Sequence, residues 1–218
     1  MSEWQRDLTK SLIPFAIVTC WLGATAAGFW QLEMRYFRPV TGPAPHSKIG
    51  GSHDVLKNSN SVALPLMISQ FADENPGKII LVNFWAPGCA CSRFNEAHFR
   101  DLQLEQSHNV AFLTLVEPTN GSLTENADMN SWRDRNLSGA VLWDKNNDAA
   151  RTLKVWAAPA AVVLDSEKTI RYIGAYNAGR FCSQHQTAWV DIAINAIEQN
   201  KEVTLKRTVF FGCQTVHS

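Results

Sequence analysis

From Ser11 to Leu32 the chain runs for 22 residues without a charged side chain, between Lys10 and Glu33. As a helix, such a run is long enough to cross a hydrocarbon core of about 30 Å. It has no polar face and it includes Pro14, and both features argue against a buried helix of a soluble domain. The leading expectation is a short tail over residues 1–10 followed by a transmembrane anchor over 11–32. A cleaved signal peptide is the competing reading, because Leu12 to Leu22 would serve as its apolar region and Ala24-Thr25-Ala26 has the small-x-small pattern of a cleavage site. Arg6 and Lys10 precede the run and Arg35 and Arg38 follow it, so the basic residues do not set its orientation. A ten-residue tail most simply stays inside while the long remainder is exported. That predicts a single-pass inner-membrane protein with its C-terminal part in the periplasm.

Residues 33–53 read as a linker, since PVTGPAPHSKIGGSH (39–53) holds three Pro and three Gly among few large apolar groups. One folded domain is then expected over 54–218. Twenty Lys+Arg balance twenty Asp+Glu, and 45% of residues are hydrophobic against 18% charged. This excludes a disordered chain and a basic nucleic-acid binder. Five cysteines are too few for a disulfide scaffold at this length, yet two of them stand one residue apart as Cys89-Ala90-Cys91, which points to redox or metal chemistry.

Around that pair the pattern alternates. A helix is expected over 63–75, a buried strand over Lys78 to Trp85, a helix over 91–106 and a strand over 110–116. A polar stretch with a short helix at 129–135 leads to a strand at 141–143 and a helix at 148–154. Strands at 160–164 and 170–173 and a helix over 186–199 close the order. Strands alternating with helices, then a hairpin and a helix, specify an α/β fold with a sheet of mixed direction.

The two thiols fall directly after a buried strand, at the first turn of the next helix. Backbone N–H groups and the positive end of the helix dipole stabilise an anion there, so a thiol can fall below its free pKa of about 8.5 and act as a nucleophile. With one residue between them, Cys89 and Cys91 could bond only through a small strained ring, which favours reduction.

The stretch Val82-Asn83-Phe84-Trp85-Ala86-Pro87-Gly88-Cys89 resembles the corresponding segment of membrane-tethered thioredoxin-like redoxins of the TlpA and cytochrome-c-maturation type. The run from Trp156 to Asp165 resembles their cis-proline strand. The resemblance covers about 59–199, and Cys89-Ala90-Cys91 with the late Gly212-Cys213 is similar to a Cys-x-Cys branch of that family. It implies a thioredoxin-like mixed sheet flanked by helices, Cys89 as the attacking thiol, and a cis bond before Pro159 in a turn that faces the cysteines and pairs with extended substrate peptides. Ser92 stands where the family's usual resolving cysteine would be, so resolution passes to Cys91 or to a distant cysteine. Gly88 replaces a common Trp. Asn83 occupies the position of thioredoxin's buried acid, leaving Glu96 and His98 as candidates for proton transfer. Cys182 and Cys213 are expected on the same side of the fold, as a structural disulfide or a second redox pair. Cys20, inside the apolar run, reads as a small hydrophobe.

The expected function is therefore a membrane-anchored periplasmic thiol-disulfide oxidoreductase acting on protein thiols or disulfides, with no cofactor and no nucleic-acid partner. The alternatives are a copper metallochaperone using Cys89, Cys91 and His98 as soft and imidazole ligands, and a thiol peroxidase.

Overall fold

In a computed structural model of the chain, the described residues are 3–38, 64–118, 125–178 and 188–214. The chain forms two compact units, Met1–Phe37 and Arg38–Ser218. The first is a single helix, α1 (Glu3–Tyr36), with Pro14 inside it. Its segment Ile13–Leu32 is long and apolar enough to cross a membrane and is not buried against protein. The Thr19 and Thr25 hydroxyls donate back to the carbonyls of Phe15 (3.0 Å) and Trp21 (2.9 Å), so these polar groups need no water. The linker expected over 39–53 lies outside the described residues.

In the second unit, the elements that position the site are α2 (Leu66–Glu74), β1 (Ile79–Trp85), α3 (Ala90–Gln106), β2 (Val110–Val116), α4 (Glu125–Arg133), β3 (Ala140–Trp143), α5 (Asp148–Leu153), β4 (Ala157–Ala158), β5 (Ala160–Leu164), β6 (Ile170–Gly174), α6 (Trp189–Glu198) and β7 (Cys213–Gln214). Five strands form one sheet in the order β3-β2-β1-β5-β6. β1 runs parallel to β2, and β2 to β3, while β5 is antiparallel to both β1 and β6. This is the thioredoxin-like mixed sheet. The short helix expected at 129–135 starts four residues earlier, at Glu125.

Every residue of β1 and β2 is buried, because helices cover both faces. Alternation sends Ile80, Val82 and Phe84 toward α2 and α5, where they meet Ile68, Ala72 and Leu153. Ile79, Leu81 and Trp85 face α3, α4 and α6 and pack with Phe99, Leu102, Trp132 and Ile194. Full burial of a side chain such as Phe99 or Leu102 stabilises the fold by about 1.5–3 kcal/mol. The sheet therefore holds the end of β1, and the cysteine turn that follows it, on a rigid base.

After α6 the chain returns along the outer edge of β6. The Ile173 N–H donates to the Lys206 carbonyl (3.0 Å), the Thr208 N–H to the Ile173 carbonyl (3.1 Å) and the Ala175 N–H to the Val209 carbonyl (3.3 Å). A Cβ on Gly174 would overlap the Thr208 hydroxyl, so glycine admits this close approach. The Tyr172 hydroxyl donates to the Ala175 carbonyl and lies 2.7 Å from the Thr208 hydroxyl, which accepts the Ala175 N–H at 3.0 Å. Burial pushes the Tyr172 phenol well above its ordinary value and keeps it neutral. Val203 and Phe210 are buried and pin the returning segment to the core.

Candidate active site

β1 ends at Trp85 and the turn Ala86-Pro87-Gly88 delivers Cys89 to the N-terminus of α3. The Cys89 N–H donates to the Ala86 carbonyl (3.1 Å), and the Arg93 N–H donates to the Cys89 carbonyl (3.3 Å). Cys89 is the N-cap residue, with extended dihedrals of φ −90° and ψ 117°, and no side chain caps the 17-residue helix. The first amides of α3 and the positive end of its dipole are thus left to stabilise charge at the sulfur. Ser92 closes the turn, its buried hydroxyl accepting the Ala86 N–H at 3.3 Å. Ser92 therefore serves the turn structurally.

The Ala158–Pro159 bond is cis. The carbonyl oxygen of Ala158 lies 3.2 Å from the Cys89 sulfur, so the proline segment faces the cysteine turn. β4, which enters this turn, pairs antiparallel with β7 at the end of the returning tail.

The disulfide in this structure joins Cys89 to Cys213, with Cα atoms 5.7 Å apart. Two expected pairings are not formed in this structure. Cys91 is not bonded to Cys89; it is buried in the first turn of α3 and keeps its thiol. Nor does Cys213 pair with Cys182, which lies outside the described residues. The tail does return to the side of the sheet that carries Cys89. The track along β6 and the pairing with β4 then set its register, and that register places Cys213 opposite Ala158 rather than beyond β6.

The candidates for proton transfer each contact a neighbouring helix or loop. His98 Nε2 lies 2.7 Å from an Asp191 carboxylate oxygen and ties α3 to α6, with its ring edge-on to Tyr176. Glu96 lies 3.6 Å from the Arg135 guanidinium. Asn83 accepts the Tyr176 hydroxyl at 2.9 Å and donates to the Thr114 hydroxyl at 3.3 Å. Of the residues of the copper-site alternative, the Cys89 sulfur is here bonded to Cys213 and His98 is paired with Asp191, and among the described residues no three His, Cys, Asp or Glu side chains are grouped so that they could hold a metal.

One acid near this end of the sheet escaped the sequence reading. Glu117 follows β2 directly, its N–H donating to the Trp85 carbonyl at 2.9 Å. It is fully buried, and burial, reinforced by nearby Asp144, pushes its carboxyl well above the usual range. Asp144 is raised as well, chiefly by burial, while the Ala149 and Ala150 amides it accepts at 2.8 and 3.0 Å pull it back. The signal was an acidic residue closing the apolar run VAFLTLV.

The family model described as Domain of unknown function (DUF6436) matches residues 59–215. The chain belongs to that family. No curated protein matches it. Among solved structures, it is similar to a hypothetical protein, SMc02350, of Sinorhizobium meliloti 1021, at 16% identity and a TM-score of 0.58 over 68% of this chain and 82% of that one. An uncharacterized conserved protein of Geobacillus kaustophilus aligns at 14% identity and 0.56, over 65% and 78%. A secreted Mycobacterium tuberculosis disulfide oxidoreductase, homologous to E. coli DsbE, aligns at 18% and 0.39, over 45% and 69%. The likeness to the first two is one of fold.

Proposed function

We propose that this protein is a membrane-anchored thiol-disulfide oxidoreductase whose attacking group is Cys89. The observation that carries this reading is the placement of the Cys89 sulfur at the uncapped N-terminus of α3, 3.2 Å from the carbonyl before Pro159 and already engaged with a second cysteine. A thiolate there is stabilised by backbone amides, and it faces a strand edge on which an extended peptide can be held by main-chain hydrogen bonds. Protein thiols or disulfides are the substrates this edge suits. The reaction is exchange: Cys89 thiolate attacks a disulfide sulfur, a mixed disulfide forms, and a second cysteine of the chain displaces the substrate's thiolate.

The apolar segment Ile13–Leu32 supports anchoring of the domain to a membrane. A disulfide that persists supports a periplasmic location for that domain, since the cytosol keeps thiols reduced. The test is reduction of a model protein disulfide by the full-length reduced protein in detergent. Stoichiometric reduction that disappears in Cys89→Ser is expected; undiminished reduction by that variant would sink the reading.

A further inference from the structure

We propose that Cys213 is a loading thiol, the residue at which a partner dithiol enters the oxidised protein, and that its strand β7 holds the substrate-peptide edge closed until that exchange occurs. The proposal deepens the oxidoreductase reading and rests on it.

Three observations converge on the tail. β7 pairs antiparallel with β4 in the register Ala157↔Gln214 and Ala158↔Cys213, so the tail takes the main-chain groups before Pro159 that an incoming extended peptide would use. Gly212 is shaped for this approach: its φ is +152°, and a Cβ would overlap the Ala158 carbonyl oxygen while lying 2.7 Å from its carbon and 3.2 Å from Pro159 Cδ. Phe210, two residues earlier, is buried in the core, so release of the edge requires movement only from about Gly212 onward.

The two sulfurs of the bond are not equivalent. Cys89 is 1% exposed, whereas Cys213 is only half-buried. An external thiolate therefore reaches Cys213 more readily. The better leaving group is Cys89, whose thiolate departs into the N-terminus of α3. In the step, the partner's thiolate attacks the Cys213 sulfur, the Cys89–Cys213 bond breaks, and its electron pair leaves on Cys89. The partner's second thiolate then attacks its own sulfur in the mixed disulfide and releases Cys213 as a thiolate, which takes a proton from water. One partner dithiol becomes a disulfide, Cys213 becomes a thiol, and Cys89 is left as a thiolate. The edge beside Pro159 is then open, and Cys89 is charged for attack on a substrate disulfide. A thiolate at Cys213 later displaces the substrate from Cys89 and restores the bond.

The experiment uses the full-length oxidised protein in detergent. It is treated with one equivalent of glutathione, quenched in acid within seconds, alkylated and mapped by mass spectrometry. Glutathione on Cys213, with Cys89 alkylated, is expected in at least about fivefold excess over the reverse. Glutathione mainly on Cys89, or transfer of the bond to Cys91, would overturn the assignment, as would recovery of oxidised protein with no Cys89–Cys213 bond. In Gly212→Val, whose side chain cannot fit against Ala158, the bond should be lost and Cys89 should alkylate without added reductant, as it does not in the oxidised wild type; an intact bond with Cys89 still protected would show that the tail does not close the edge. Reduction of a model disulfide by the reduced wild-type protein is run alongside. Its failure removes the oxidoreductase reading, whereas intact reduction with glutathione on Cys89 removes the loading role of Cys213 alone.

Discussion

Asn83 accepts a hydrogen bond of 2.9 Å from the Tyr176 hydroxyl across the buried face of the sheet. Its amide also donates to Thr114, so the side chain is fixed from both ends. A neutral amide locked in this way holds β1 to its neighbours and offers no titrating proton to Cys89.

Tyr176→Phe should destabilise the domain by about 1–3 kcal/mol, because it leaves the buried Asn83 oxygen without its donor. Thermal or denaturant unfolding reads the loss. The rate of Cys89 alkylation in the reduced protein should not change, and a change of more than about threefold would mean that this chain of hydrogen bonds does tune the thiol.

Glu117 makes stability fall as pH rises. Its folded-state carboxyl is raised above the usual value of about 4.3, so above that pH the unfolded chain releases a proton that the folded one retains. The contribution is full below the unfolded value and is lost as pH climbs toward the folded one. Glu117→Gln keeps the neutral form at every pH and removes repulsion with Asp144. It should match the wild type near pH 4, exceed it at pH 8, and flatten the slope between. Denaturant titrations of both proteins across that range check this, and parallel slopes would show that Glu117 is not held neutral.

Most of the architecture was legible because its causes are local. IILVNFW and VAFLTLV are nearly continuous apolar runs, rich in β-branched and aromatic residues, of the kind that strands buried on both faces carry, and they fall at Ile79–Trp85 and Val110–Val116. The turn Pro87-Gly88 fixed Cys89 at a helix start. The destination of Cys213 was not legible, because the tail's course depends on the edge of β6 and on the fit of Gly174 against Thr208, contacts between segments more than 30 residues apart. A glycine directly before the cysteine was the one local hint, and its meaning emerges only against the Ala158 carbonyl. The partner of His98 was not legible for a similar reason: Asp191 lies on a different helix, and no spacing along α3 reveals it.

Cys91→Ala isolates the roles of the paired cysteines. With Cys89 bonded to Cys213, loss of the Cys91 thiol should leave that disulfide in place and retain multi-turnover reduction of a model disulfide within about threefold. Burial of Cys91 in the first turn of α3 makes a stability loss of about 1 kcal/mol the main expected effect. Accumulation of a substrate mixed disulfide on Cys89 in this variant would instead make Cys91 the resolving thiol.

The anchor can be tested independently of the chemistry. Apart from Gln31 at its end, Ile13–Leu32 presents apolar or small side chains and two threonine hydroxyls bonded to the helix's own carbonyls, which suits transfer into a bilayer. The full-length protein should sediment with membranes and resist extraction by high salt and alkaline carbonate, which release peripheral proteins. A reporter active only outside the cytoplasm, fused after Val216, should be active if the domain is exported. Substituting Val18 and Leu22 by Arg, each at more than half its full exposure in the helix, should release the protein or block its export, since a charge near the middle of a span costs about 2.5–3.5 kcal/mol. A soluble product with a new N-terminus near Ala27 would identify α1 as a cleaved signal, and activity of a cytoplasm-only reporter at the C-terminus would reverse the orientation.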